Sequence, residues 1–299
     1  MVFRQSLIRL SEKSKSKSAS WASRQFRDPY VKKRLSDPMA YRARSAFKLL
    51  EINDESNKFL EYPDVNAVVD LGAAPGGWSQ VVADKLGWNR SPPGLMPLSR
   101  NPVTPKESHP IDNGTKRKKW NSKRTEELDY FDPLNIDSLD PNTGNMTGRG
   151  TIIAVDLLKI ESIPGVQTLQ ADFLLSSTTL AIKNLLRSHD NPDGKVDVVL
   201  SDMAANVSGN NAHDIEDSLQ ICEAVFEFAT NHLRTAESIG RRRGGVLLMK
   251  FFAHPLLEQF KDDKLKPNFN HVSYIKPSSS RATSREGYYL CQGWRPTLP

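Results

Sequence analysis

The segment Val68-Val-Asp-Leu-Gly-Ala-Ala-Pro-Gly-Gly-Trp-Ser-Gln80 joins an apolar strand pattern to a glycine turn and then to a helix start, the form of a nucleotide-cofactor pocket. Gly72, Gly76 and Gly77 let the backbone approach a ligand with no Cβ in the way. A dinucleotide loop reads G-x-G-x-x-G and offers helix N-terminal amides to a pyrophosphate. Here Gly72-Ala-Ala-Pro75-Gly76-Gly77-Trp78 departs from that spacing, and a proline stiffens the turn. Such a loop suits the methionine and ribose parts of S-adenosylmethionine, which carry no phosphate. Asp156 ends the apolar run Thr151-Ile-Ile-Ala-Val-Asp156, the placement of an acid that takes ribose hydroxyls at the C-terminal edge of a parallel sheet. Asp202 ends another run that begins at Val196. Lys250 sits inside Leu247-Leu-Met-Lys-Phe-Phe252, where an unpaired charge is costly, so its amine is read as chemistry rather than as a surface cation.

These groups need a scaffold that brings strand ends together. Apolar runs predict strands over 67–71, 151–156, 166–169, 196–203 and 246–252, with two last strands over 271–276 and 287–291. Helical spacing is found after Trp78 through Leu86, over 177–186 and over 217–234. Within 41–52 Ala43, Phe47 and Leu50 share a helical face, while Arg42, Arg44 and Lys48 project elsewhere; contact with phosphates would explain that density of cations. The alternation predicts an α/β, Rossmann-like fold: a doubly wound, mostly parallel sheet with an antiparallel C-terminal hairpin and its ligand site at the carboxyl ends of the strands. Residues of about 88–148 are rich in Pro, Asn, Ser and Lys and lack an apolar period, which marks a long irregular insertion. The usual interval from a glycine loop to the ribose acid is ~20 residues, so Asp156 can serve only if this insertion loops out. The run Lys116-Arg-Lys-Lys119 within it reads as a solvated loop.

With 299 residues, 38% of them hydrophobic, the chain suits one core with extensions. A net charge of +6 is compatible with a polyanionic partner. Cys222 and Cys291 match no metal-ligand spacing and are too few for a disulfide framework, which favours a reducing compartment or the mitochondrial matrix. No apolar run approaches membrane-spanning length, so no membrane insertion is expected. Residues 1–20 carry Arg4, Arg9, Lys13, Lys15 and Lys17 against Glu12, with Phe3, Leu7 and Leu10 on one helical face. This basic N-terminal extension has the profile of a mitochondrial transit peptide preceding a domain over 21–299.

Four blocks in order, Asp70 to Gln80, Ser201-Asp-Met-Ala-Ala-Asn206, Ser208-Gly209 and Ser278-Ser-Ser-Arg-Ala-Thr-Ser-Arg-Glu286, resemble the RrmJ/FtsJ family of ribose 2′-O-methyltransferases. The likeness spans about residues 21 to 295, and departs from the family in the insertion after Trp88 and at Ala205, where the bacterial members have proline. It implies that Lys48, Asp202, Lys250 and Glu286 form the family's Lys-Asp-Lys-Glu catalytic tetrad. It also implies that Gly72, Pro75, Gly77 and Trp78, with Gly76 in the same loop, surround the methionine end of S-adenosylmethionine. Asp156 would hold the ribose hydroxyls, and Asp172 with the Phe173 backbone would meet the adenine. Asp202, whose charge favours the protonated lysine, is expected to orient Lys250 and the methyl donor.

A ribose 2′-hydroxyl is a poor nucleophile at neutral pH and must be held and relieved of its proton. Lys250 is the expected proton acceptor. A free lysine has a pKa of ~10.4, so a second cation, Lys48, would help to keep it neutral. Glu286 would fix Lys48 or the ribose. The loop Gly72-Ala-Ala-Pro75, the segment Arg24 to Tyr30 and the basic leader resemble the mitochondrial branch that methylates a uridine in large-subunit ribosomal RNA, free or in a pre-ribosomal particle. The expectation is therefore a monomeric matrix enzyme acting on RNA. Tyr41 to Asn53 resemble a cytosolic branch instead, which leaves tRNA anticodon-loop methylation as an alternative, with a cytoplasmic or nucleolar location. A ribosome-assembly factor or RNA chaperone with dispensable catalysis is a further one.

Overall fold

The computed structural model describes residues 28–36, 40–88, 148–204, 211–281 and 284–297. The chain divides into a unit of residues 1–90 and 147–299 and another of residues 91–146, and every described residue belongs to the first. The expected basic extension over 1–20, Arg24 to Arg27, nearly all of the expected insertion over 88–148 with its run Lys116 to Lys119, and Ala205, Asn206, Ser208 and Gly209 lie outside the described residues.

The elements run α1 Pro29–Ser36, α2 Ser45–Glu55, β1 Ala67–Leu71, α3 Gly77–Lys85, β2 Thr151–Asp156, β3 Val166–Gln170 and α4 Ser176–Leu186. They continue with β4 Val198–Ser201, α5 Asn211–His232, α6 Ala236–Ile239, β5 Val246–Phe252 and α7 Pro255–Phe260. A π-helical turn, Lys261–Leu265, and α8 Lys266–Asn268 then lead into β6 Phe269–Ile275 and β7 Glu286–Trp294. The strands form one sheet in the order β3-β2-β1-β4-β5-β7-β6, parallel from β3 to β5, with β7 antiparallel to both of its neighbours. This is the doubly wound sheet with an antiparallel C-terminal hairpin that the alternation predicts. The order reverses between β1 and β4, where an open α/β sheet has its ligand crevice.

Register makes that crevice chemical. Leu71 pairs with Val155 on one side and with Ser201 on the other, so the residues that come next in the three segments emerge level with one another. At that level stand Gly72 after β1, Asp156 as the last residue of β2, and Asp202 after β4. The central strands are buried on both faces, and their Val, Ile and Leu each contribute roughly 1.5–3 kcal/mol by leaving water. On one face Val68, Ile152, Ala154, Leu200, Leu248 and Tyr288 pack with Phe47, Leu49 and Ile52 of α2 and Val81 and Val82 of α3. On the other, Val69, Ile153, Val155, Leu247, Met249 and Tyr289 pack with Ile182 of α4, Val225 and Ala229 of α5 and Leu257 of α7.

Several boundaries differ from the periodicity. Helix α2 begins at Ser45, so Ala43 precedes it, and its buried apolar residues are Ala46, Phe47, Leu49 and Ile52 rather than Ala43, Phe47 and Leu50. Helix α5 starts at Asn211, ahead of the expected 217. Strand β4 is shorter than the run that suggested it. Its run is cut at the start by Asp197, whose carboxylate accepts the backbone N–H groups of Asn66 and Ala67 at 2.8 and 2.9 Å and pairs with Arg234 at 2.9 Å. The short helices α1 and α6 to α8 have too few residues to show a period.

Candidate active site

After β1 the chain turns over the end of β2. Gly72 N–H and Ala73 N–H both donate to the Val155 carbonyl, at 2.9 and 3.1 Å. Gly72 holds φ +70° and Gly76 φ +104°, in the left-handed region that favours glycine. A Cβ on Gly72 would stand 2.1 Å from Met203 Cγ. Asp156 pins the turn: one oxygen accepts from Ala74 N–H at 2.9 Å and the other from Leu158 N–H at 2.8 Å. Pro75 is exposed, whereas Gly76, Gly77 and Trp78 are buried. The Trp78 indole N–H donates to the Ser45 carbonyl at 2.8 Å and its ring packs on Tyr288 with centroids 5.8 Å apart. Its side chain thus belongs to the wall between α2 and the sheet, and what it offers the loop is backbone.

Arg42 ties this loop down as well. Its guanidinium donates to the carbonyls of Glu161 at 2.6 Å and Ser162 at 2.5 Å, with a longer contact of 3.4 Å to Pro75. Arg44 donates to Asp28 and to the Ser279 carbonyl. The cations expected to meet phosphate ahead of β1 are therefore tied to the protein's own acceptors, because the strand-end loops leave carbonyls that need donors. Past β3, Asp172 accepts from Leu174 N–H at 3.0 Å and does not cap α4, whose N-cap is Leu175; Phe173 beside it is partly buried.

A third acid stands among Asp156 and Asp202. Asp70, 1% exposed in the middle of β1, accepts a hydrogen bond from Ser79 Oγ at 2.6 Å. Burial raises its pKa to about 7, opposed by the Ser79 hydrogen bond and reinforced by the charges of Asp202 and Asp156. Since its folded pKa lies above the unfolded value of ~3.9, the proton-linked stability is complete below pH ~4 and is lost as pH rises through about 7. Asp70→Asn keeps an acceptor for Ser79 and has no proton to lose. Urea unfolding of both proteins between pH 4 and 8 is expected to show the variant gaining on the wild type as pH rises, by on the order of a few kcal/mol. A pH-independent difference would refute this.

The four tetrad positions converge. Strand pairing sets Lys250 opposite Tyr288 and Phe252 opposite Glu286, so Lys250, Tyr288 and Glu286 share one face of the sheet. Lys250 Nζ donates to the Asp202 carboxylate at 3.1 Å and to the Asp202 carbonyl at 2.7 Å. From α2, Lys48 is paired with Glu286 in a short contact. The Tyr288 hydroxyl lies between the two pairs, 2.8 Å from Asp202 Oδ1 and 3.2 Å from Glu286 Oε1. All four charged side chains are at most 20% exposed. Burial alone would raise the Glu286 carboxyl, but Lys48, then Lys250 and Ser280, outweigh it and hold the group below the usual glutamate range. Burial, with Asp202 and Glu286 nearby, pushes the Tyr288 phenol far up, so it stays neutral and serves as a hydrogen-bond donor. The structure gives each lysine its own carboxylate, Asp202 for Lys250 and Glu286 for Lys48.

The model of the FtsJ-like methyltransferase family matches residues 41–294. The chain belongs to this family. It is 34% identical to the ribosomal RNA large subunit methyltransferase E of Rickettsia bellii, an alignment covering 95% of this chain and 92% of that protein. With the protein of the same name from Rhodopseudomonas palustris the identity is 32%, covering 98% and 92%. A crystal structure described as a ribosomal RNA methyltransferase of Plasmodium falciparum is similar in fold, with a TM-score of 0.54 and 20% identity over 85% of this chain and 98% of that one.

In this FtsJ-like methyltransferase, Tyr288 and Asp70 are residues that the sequence reading missed. Each carried a signal: an acid inside an apolar central strand, and a tyrosine on the same strand face as Glu286. Tyr288→Phe removes the group that joins the two lysine–carboxylate pairs and leaves each pair intact. It is expected to lower kcat about tenfold, the worth of roughly one hydrogen bond. Steady-state kinetics beside calorimetry of cofactor binding checks this, and an unchanged kcat would remove Tyr288 from the site.

Proposed function

We propose that this protein transfers the methyl group of S-adenosylmethionine to a ribose 2′-hydroxyl of RNA, with a uridine in mitochondrial large-subunit ribosomal RNA as the acceptor. The observation that carries the reading is the pair of buried lysine–carboxylate contacts joined by the Tyr288 phenol beside the Gly72 turn.

The residues present fit the cofactor. Asp156 and Asp202 place carboxylates at the strand ends beside the Gly72 turn, which suits a ligand carrying a sulfonium and an ammonium. Each Asp156 oxygen holds one backbone N–H and keeps a lone pair that a ribose hydroxyl can use. Gly72 leaves the turn without a Cβ. When bound, S-adenosylmethionine supplies an electrophilic methyl group. In its neutral form Lys250 accepts the proton of the attacking hydroxyl, and Asp202 stabilises the ammonium that results. The Gly72 turn and Asp156 would hold the cofactor as its methyl passes to the ribose oxygen and the S–C electron pair stays on sulfur. Glu286 holds Lys48 in place as a fixed cation, and Tyr288 keeps the two carboxylates in register.

The acceptor rests on the relatives named for the large ribosomal subunit and on the net charge of +6. The mitochondrial location rests on the basic, acid-poor residues 1–20. The protein works as a monomer in this reading. Ribose-methylation mapping of mitochondrial and cytosolic RNA, with and without the protein, tests it. Loss of one 2′-O-methyluridine from mitochondrial large-subunit RNA is expected, and an unchanged profile there would overturn the acceptor. If loss occurs in a tRNA anticodon loop instead, the tRNA reading replaces it.

A further inference from the structure

Behind the tetrad lies a set of contacts that the proposed reaction does not use. Glu51 follows Lys48 by one turn of α2, so both side chains leave the same side of the helix. Lys48 reaches Glu286, and Glu51 reaches the connection between β6 and β7. Glu51 Oε2 accepts from Ser279 N–H at 2.9 Å, Ser279 Oγ at 2.9 Å and Ser278 Oγ at 3.3 Å. Its Oε1 accepts from the Tyr30 hydroxyl of α1 at 3.1 Å. Ser279 is fully buried, and its carbonyl accepts from Arg44, which also holds Asp28. Every polar atom of Ser279 is thereby bound from α2 or from the residues just ahead of it. Ser280, the next residue, donates from Oγ to Glu286 Oε1 at 2.9 Å.

We propose that Glu51 is a positioning residue for the Lys48–Glu286 pair. By gripping Ser278 and Ser279 it sets where the chain enters β7, and so places Ser280 and Glu286 against Lys48. A carboxylate suits this arrangement: among the described residues four donors converge on its two oxygens, whereas an amide would present N–H groups on one side, where a hydroxyl would have to turn to accept them. Among the described residues the hydrogen bonds of Glu51 run to α1 and to the β6–β7 connection. The inference rests on the proposed reaction only in treating Glu286 and Lys48 as part of the methyl-transfer site.

Glu51→Gln tests it. With Glu286 displaced by a fraction of an ångström or more, kcat for methyl transfer to RNA is expected to fall about ten- to a hundredfold. The KM for S-adenosylmethionine should stay within about twofold, as for a change confined to a transition-state contact. Combining Glu51→Gln with Ser280→Ala should cost no more than the slower single variant, because both act through Glu286. Ser279→Ala removes one donor and leaves the backbone contact, so it serves as the milder variant, with a loss of the same kind near threefold. Crystal structures of wild type and variant then read the position of Glu286 directly. An unaltered kcat in folded variants, an equal loss of cofactor affinity, or Glu286 unmoved on Lys48 would overturn the proposal. If the wild type transfers no methyl group to RNA, the proposed acceptor falls, while the crystallographic comparison still decides the role of Glu51.

Discussion

Lys250→Met is expected to lower kcat for methyl transfer by about 10³-fold or more while the protein still folds and binds S-adenosylmethionine. Methionine matches the length of the lysine stem, so the packing along β5 survives, but the amine that faces Asp202 is gone. Two losses follow from that one atom. The attacking hydroxyl has no proton acceptor, and among the described residues Asp202 Oδ1 keeps the Tyr288 hydroxyl as its side-chain partner. The pair is 11% and 20% exposed, so breaking it also costs stability, up to the 3–5 kcal/mol of a buried pair. Single-turnover kinetics with labelled cofactor, together with a melting curve, separates the two effects. A folded Lys250→Met protein with kcat within about tenfold of wild type would rule out the assigned base, since general-base removal typically costs 10²–10⁴. Lys250→Arg should not rescue: a guanidinium stays protonated and cannot accept the proton.

Gly72→Ala is expected to destabilise the fold by about 2–5 kcal/mol and to abolish cofactor binding. Two strains add at this position. At φ +70° an alanine costs about 1–2 kcal/mol in backbone energy alone. The new Cβ would also overlap Met203 Cγ at 2.1 Å, which forces that side chain out of its place against the sheet, at about 1–3 kcal/mol. The turn is held at Val155 and Asp156, so the strain falls within the Gly72 turn itself. Adding Met203→Ala to Gly72→Ala should recover the overlap part of the stability and none of the backbone part. Thermal unfolding with and without cofactor measures both. A double variant as unstable as Gly72→Ala alone would show that Met203 is not what the methyl group meets.

How much of this was legible in the sequence varies by element, for reasons of burial. Strands β1, β2 and β5 lie between two layers of side chains, so their runs are apolar without alternation and their ends read true. Helix α2 was harder. Its buried Lys48 and Asn53 blur the apolar period, and its first turn begins beyond Ala43. The short helices around the π turn between β5 and β6 left no signal at all, since a period needs more turns than they have. Among site residues, Gly72, Asp156 and Lys250 were readable from local pattern. Lys48 and Glu286, 238 residues apart, were readable only through the family's separated blocks. Tyr288 and Glu51 were not found, and Arg42 was read as a phosphate contact, because each acts through a partner distant in the chain.

The sequence by itself determined which reactive groups the protein has and which strands carry them, because strand and turn chemistry is local. It put an acid at the end of β2 and a lysine within β5, and it made glycine the residue after β1. The tertiary structure decided the distances at which these charges meet and where the remaining cations go. Lys250 meets Asp202, Lys48 meets Glu286, Arg42 and Arg44 hold carbonyls and a carboxylate of their own chain, and Asp70 is left buried among other acids. Hydrogen bonding, ion pairing and desolvation depend on distances of a few ångströms, and those are set by the strand order β3-β2-β1-β4-β5-β7-β6 rather than by neighbours along the chain.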